Sequence, residues 1–545
     1  MSSEPEFPTG HLMTAARGNA LWWCVLVVLC LALLMPLTIA DVPPLLDYPN
    51  HMARLFVLAR LPGDPVLARF YEPHWGIIPN LALDLTVPPL LRVFPVHDVG
   101  RAVVGVVLLL PVLGAAAYHR ALSGRLSYWP LAAALFVYNA ALLHGFLNFI
   151  ASIGLALLFG AAWIAWRERR PSLAGVTGAV GAVALFFCHL TGLLLLAILI
   201  GGHELAWLRT ASFRCEEFIR RGAVVIAIFA VPAVLYFISD LSHIAGDAEF
   251  LSVTGKAHAA LSPVINYFWP LDLLTAALCV AILVLCLVTR RCAIQFQAAV
   301  AVVVLLVLFV ALPSAFKGTY DLDTRFIVMA AFVIPAALTP VVTTPNPLLG
   351  NTRVPGSRRA TWAIGAVLLL LFGVRMTVLM IAWGSWPVEL AAFRSAVASI
   401  QPGGVVMTVG AAPATPQMSW TSISAPRGLA DGTETDTHLP ALLVIEHRAY
   451  WPFLFDNLSQ QPIQTREPYR TAANLIDSSP DPITLLTTGE PGLRPFTHVL
   501  VLGPTPAVVA ARGLKLVAQS EAAALFVVMR DGISQAAPRL PPPAH

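Results

Sequence analysis

The sequence predicts an all-α polytopic membrane domain followed by a smaller C-terminal α/β domain. Three observations predict it: apolar segments of bilayer length recur along most of the chain, arginines fall in alternate connections between them, and beyond Trp386 the long spans give way to short strand-like runs. A hydrophobic share of 57%, a charged share of 12% and a mean hydropathy of +0.75 belong to a multi-pass membrane protein rather than a soluble enzyme. The net charge of +4 comes from scattered arginines without a basic stripe, which argues against nucleic acid as a partner. The seven cysteines include no CxxC and no Cys/His pair at zinc spacing, and none lies beyond Cys292, so the C-terminal part is not a disulfide scaffold.

Read in order, about eleven segments have the length a bilayer core demands. They are Ala20–Ala40, Arg101–Tyr118, Ser127–Leu143, Phe149–Trp166, Ser172–Phe187, Thr191–Leu208, Gly222–Ser239, Asp272–Val288, Phe296–Leu312, Ile327–Val341 and Thr361–Ile381. The first is too long an apolar run for a typical signal peptide and is expected to stay as a helix. Arg17, Arg120, Arg125, Arg167, Arg169, Arg170, Arg209, Arg214, Arg220, Arg221, Arg290, Arg291, Arg353, Arg358 and Arg359 mark the cytoplasmic side, the N-terminus included. The opposite loops, residues 41–100, 144–148, 188–191, 240–271 and 313–326, and everything after about Ala382, then face outward.

The unusual polar residues also fall on that outer side: DYPNH, HGFLN from His144 to Asn148, CHL from Cys188 to Leu190, the loop with His243, Lys256, His258 and Trp269, and GTYDLDTR from Gly318 to Arg325. A transporter places its polar groups near the bilayer midplane, on broken helices. A one-sided distribution fits an enzyme working at one leaflet.

Residues 41–100 form the longest loop within the membrane domain. In Asp47–Arg54, reading DYPNHMAR, Pro49 favours the first turn of a helix, with Asp47 and Tyr48 in the capping region. Asp47, His51 and Arg54 follow at spacings of four and three and share one face, so an acid, a base and a cation stand at the membrane surface. This surface-lying helix runs to about Leu61, where Pro62 and Gly63 stop it, and a second runs from Pro79 to Phe94 with Asn80 and Asp84 on one face.

An acidic residue after the first transmembrane helix, two interfacial helices, and a PN…LDL…LL…VF…GR…VV run into the second span resemble the GT-C glycosyltransferases. The similarity is closest to the bacterial branch related to protein mannosyltransferases and aminoarabinose transferases. It covers about the first 385 residues and is strongest in the first 150. The resemblance implies an inverting transfer of a sugar from a polyprenyl-phosphate carrier to a lipid-linked, glycan or protein acceptor. It implies the periplasmic face of a bacterial inner membrane, among membrane lipids, with Asp47 at the position of the essential acid. The adjacent Asp-Glu pair of several branches is missing, since Tyr48 and Pro49 follow Asp47, so substrate identity does not carry over.

Such chemistry needs a base to take the acceptor's hydroxyl proton and cations to face the departing phosphate. Asp47 is the expected base. Arg325, Lys317, His189 and His144 are candidates for the phosphate, with His51, Arg54, Asn80, Asp84 and Asn148 around them. Plainer readings stand beside these. Asp47 could be only a helix cap, His51 and Arg54 could face water or head groups, His144–Asn148 could be a turn in which Asn148 caps the next helix, and His189 could be a core histidine. Asp321-Leu322-Asp323 has the form of a DxD metal motif, but Arg325 beside it favours a salt-bridged loop end. No metal or other cofactor is therefore required beyond the donor itself. Arg375 lies about 21 Å along the last span, where it either snorkels outward or reaches the carrier phosphate.

The expected organisation is a GT-C-like membrane domain over residues 1–385, a soluble periplasmic α/β domain over 386–534 and a disordered tail over 535–545. Strands are expected at Val405–Val409, Ala441–Glu446, His498–Gly503 and Ala524–Met529. His447, Arg448, Tyr450 and Trp451 could stack on a sugar, although a docking or lid role is the plainer one. Two other functions remain open: a transporter or flippase of lipid-linked sugars, and a non-catalytic membrane anchor for the outer domain.

Overall fold

The computed structural model describes residues 9–210, 214–341, 357–410, 420–479, 481–503 and 513–529. Among them, eight helices are long and apolar enough to cross a membrane, and two shorter apolar helices, Phe296–Ala311 and Thr324–Ala337, lie beside them. Ten of the eleven expected spans are thereby helices. The eleventh, Ser127–Leu143, is a 3-10 helix over Trp129–Phe136 followed by a single helical turn, Ala140–Leu143. Asn139 explains the break: its backbone is extended and its side chain accepts from Leu142 N–H, which starts a new turn. The expected tail over 535–545 lies outside the described residues.

Helices Val96–Ser123 and Leu147–Trp166 form the centre of the bundle because glycines let them touch. A Cβ on Gly154 would meet Leu110 carbonyl carbon at 2.3 Å, and one on Gly114 would meet Gly154 O at 2.5 Å. The long loop after the first span supplies the expected helix, Tyr48–Arg60, opened by Pro49 and buried along most of its length. The second expected helix divides into Ala82–Thr86 and Pro88–Leu91, since Pro88 and Pro89 interrupt the ladder.

Strands β1 (Val406–Gly410), β2 (His498–Leu502), β3 (Leu514–Gln519) and β4 (Ala523–Val528) form one sheet in the order β1-β2-β4-β3, parallel between β1 and β2 and antiparallel elsewhere. The run Ala441–Glu446 is not a strand: it ends the 3-10 turn Leu439–Ala441 and forms the helix Leu442–Glu446, initiated by Pro440. A short, mostly buried and mostly apolar run carries no period to separate strand from helix. This sheet region shares a core with the long loop after the first span. Ala53, Val57, Phe70 and Tyr71 pack with Met407, Tyr450, Trp451 and Val499, and Tyr71–Pro73 pairs antiparallel with Ile463–Thr465. The C-terminal region is thus built onto the loop that carries Asp47.

Candidate active site

The site begins with the backbone of Asp47. It occupies the position before the helix Tyr48–Arg60 but is itself helical, and its side chain makes no capping hydrogen bond. The cap reading therefore fails, and the carboxylate is left for other work. Asp47 N–H donates to His144 O at 3.0 Å. The close approach depends on Gly145, whose φ is +87° and where a Cβ would come within 2.8 Å of Asp47 N. The turn His144–Asn148 thus cradles Asp47. Asn148 does not cap the following helix; its Nδ2 donates to Asn80 O at 2.8 Å, and the side-chain oxygens of both asparagines are buried without a partner.

From His144 the contacts run to the loop before the helix Thr324–Ala337. His144 Nδ1 lies 3.3 Å from Asp321 Oδ2. Burial works against the charged ring, but the Asp321 carboxylate outweighs it and holds His144 above its ordinary pKa. Asp321 is held below the usual carboxylate range for the reciprocal reason, since the contact with His144 outweighs burial. Phe146 bridges onward, its ring edge-on to His144 at 5.6 Å and under the Arg325 guanidinium at 5.1 Å.

Arg325 is 8% exposed and, among the described residues, has no carboxylate at ion-pair distance, although Asp321 and Asp47 lie near enough to attract its charge. It donates to His189 Nε2 at 2.8 Å and to Tyr320 O at 3.1 Å, and its Nε is buried with no partner. An imidazole that accepts from a guanidinium must be neutral. Burial and the adjacent Arg325 push His189, at the corner between two membrane helices, well below its ordinary pKa. The loop end is salt-bridged as expected, but with other partners than Arg325: Asp321 pairs with His144 and Asp323 with Lys256 at 2.7 Å. No group of three or more His, Cys, Asp or Glu side chains among the described residues is arranged to hold a metal ion.

Three of the expected cations are committed elsewhere. Arg54 does not turn to Asp47 or His51, nor to water or head groups; it is 2% exposed and binds both oxygens of Asp84, at 2.7 and 3.0 Å. Arg375 neither snorkels nor stands free, because it donates to Asp272 Oδ1 and to Val264 O, each at 2.7 Å. Lys317 turns away and donates to Ser242 O at 3.2 Å. His51 stays beside Asp47, where burial first and Arg54 second push its pKa down to about 3, so the ring is neutral.

The remaining wall comes from the C-terminal region, through residues the sequence did not single out. His438 Nδ1 lies 2.9 Å from Asp47 Oδ1. Asn50 fastens the segment beside it, donating to Phe453 O and accepting from Phe455 N–H, each at 2.8 Å. Asp431, on the same C-terminal stretch, sits 3.5 Å from His258. Tyr450 and Trp451, by contrast, are core residues that cannot stack on a sugar. Tyr450 OH donates to Tyr469 O and Trp451 Nε1 to Thr408 Oγ1. His447 and Arg448 face Ile400 O and Asp64.

The bundle, the long loop after its first span and the appended sheet make up a multi-helix membrane-protein fold that a solved structure shares. Among solved structures, ArnT from Cupriavidus metallidurans in the apo state aligns over 94% of this chain and 98% of its own, with a TM-score of 0.50 at 13% sequence identity. The same protein bound to undecaprenyl phosphate aligns with equal coverage, a TM-score of 0.48 and 14% identity. No family model matches the chain, and no curated protein does.

Proposed function

We propose that this protein is an inverting, polyprenyl-phosphate-sugar-dependent glycosyltransferase of a bacterial inner membrane. In this reading it passes its sugar to a lipid-linked, glycan or protein acceptor on the periplasmic face. The carrying observation is that a carboxylate with no capping role, Asp47, and a buried arginine with no carboxylate in contact among the described residues, Arg325, are joined through the turn His144–Asn148 at one end of the bundle. Asp47 takes the proton of the acceptor hydroxyl as that oxygen attacks the anomeric carbon. The bond from that carbon to the phosphate oxygen breaks on the opposite face, inverting the configuration, and the charge gathers on the departing lipid phosphate. Arg325 is the cation that meets it, and its low exposure makes that attraction stronger than in water.

No divalent metal enters this scheme, because Asp321 and Asp323 are spent on His144 and Lys256. The test is transfer by the purified full-length protein in detergent, offered a set of radiolabelled polyprenyl-phosphate sugars together with an extract of envelope lipids and glycans. Release of free polyprenyl phosphate matched by label in one acceptor fraction, insensitive to a chelator, is the expected result. Label that stays on every carrier offered overturns the reading.

A further inference from the structure

We infer that His438, supplied by the C-terminal region, is a positioning residue for the Asp47 carboxylate, an inference that rests on Asp47 being the base. The imidazole is boxed rather than adventitious. Phe455 stands edge-on to it at 5.2 Å and Trp451 at 6.1 Å, and both rings are fixed, Trp451 through Thr408 and residue 455 through the Asn50 clamp. Asn50 belongs to the same helix that Asp47 precedes, so the clamp and the carboxylate are referenced to one rigid element.

Asp47 makes no side-chain capping hydrogen bond, so its rotamer depends on what stands beside it, and His438 is the group at ion-pair distance. His438 Nδ1 stands 2.9 Å from Oδ1 but off hydrogen-bond alignment and has no other partner among the described residues, so a small turn of either side chain closes the bond that holds one oxygen and presents the other to the acceptor hydroxyl. His438 touches neither the sugar nor the phosphate in this scheme; it fixes which oxygen receives the proton. The C-terminal region then has a part in turnover, because the site is incomplete until His438 reaches Asp47.

The alternative is that the pair merely fastens the C-terminal region to the long loop after the first span. His438→Ala, His438→Asn and Asp47→Asn in the full-length protein separate the two, with three readouts: transfer, binding of fluorescent undecaprenyl phosphate, and hydrogen exchange of residues 451–455. We expect His438→Ala to lower transfer roughly 10- to 100-fold, the scale of a misplaced catalytic group, with lipid binding and exchange unchanged. His438→Asn, which can place an N–H near the same oxygen, should recover part of the loss. Full transfer by His438→Ala, or a loss accompanied by weaker lipid binding and faster exchange, overturns the positioning role. Full transfer by Asp47→Asn overturns instead the reading on which it rests.

Discussion

Two buried arginines from different parts of the bundle have opposite surroundings. Arg375 sits in a region where charge is closed: Asp272 and the Val264 carbonyl take its protons, and Asp272 also accepts from Asn266 N–H at 2.8 Å. Arg325 donates to a neutral histidine and one carbonyl, its Nε has no partner among the described residues, and Asp321 and Asp47 attract it only from beyond ion-pair distance. A buried cation without an anion is costly, and folding would place a carboxylate beside it if stability were the only demand. The contrast separates polar groups that hold the bundle together from the one proposed above to meet the carrier phosphate. Arg54 with Asp84 belongs with the first kind. The arginine-rich end of the bundle resembles it too: Arg167 and Arg221 share Glu204, about 30 Å from the site along the helix Leu147–Trp166.

Substitutions sharpen this contrast. Arg325→Met should lower transfer about 10²- to 10³-fold, the scale of losing a donor to developing charge, while thermal stability holds or rises. A stability loss with normal turnover would place Arg325 with the structural pairs. Arg375→Met should do the reverse, destabilising by about 3–5 kcal/mol because Asp272 is left buried and unpaired. Turnover per folded molecule should be unchanged, as measured on protein that survives a heat step. Asp84→Asn keeps a partner for Arg54 without the charge and should cost about 1–3 kcal/mol, again with little effect on turnover.

The smallest expected effect is on pH. His144 has a raised pKa in the folded protein, so its contribution is full below its ordinary value and is lost as pH rises through the raised one. Asp321 has a lowered pKa, so its share is lost as pH falls through that lowered value. The pair therefore stabilises between these limits, by under about 1 kcal/mol because Asp321 is exposed enough for solvent to screen it. Thermal melts should show a small decline on the alkaline side, and Asp321→Asn should remove it.

Much of this arrangement is legible in the sequence, for reasons of range. Hydropathy reports bilayer-length helices directly, and DYPNH announces the helix after Asp47 because proline acts within a few positions. Hydropathy does not separate a 3-10 segment from a helix, which is why Ser127–Leu143 differs from its expected form. Helical spacing correctly aligns Arg54 with His51, yet cannot show that Asp84, on a later helix of the same loop, captures it. His438 and Asn50 join segments distant in the chain, and no local pattern marks such a pairing. The state of Arg325 was invisible for the same reason: DLDTR suggests a salt bridge by adjacency, while the fold sends each aspartate to another partner.

The most direct measurement is the profile of lipid-linked sugars and envelope glycans in cells carrying Asp47→Asn, against wild type at matched protein level and thermal stability. The account predicts accumulation of one polyprenyl-phosphate sugar and loss of that sugar from the envelope, with transfer down about 10²- to 10⁴-fold. An unchanged profile from a folded Asp47→Asn protein would contradict it.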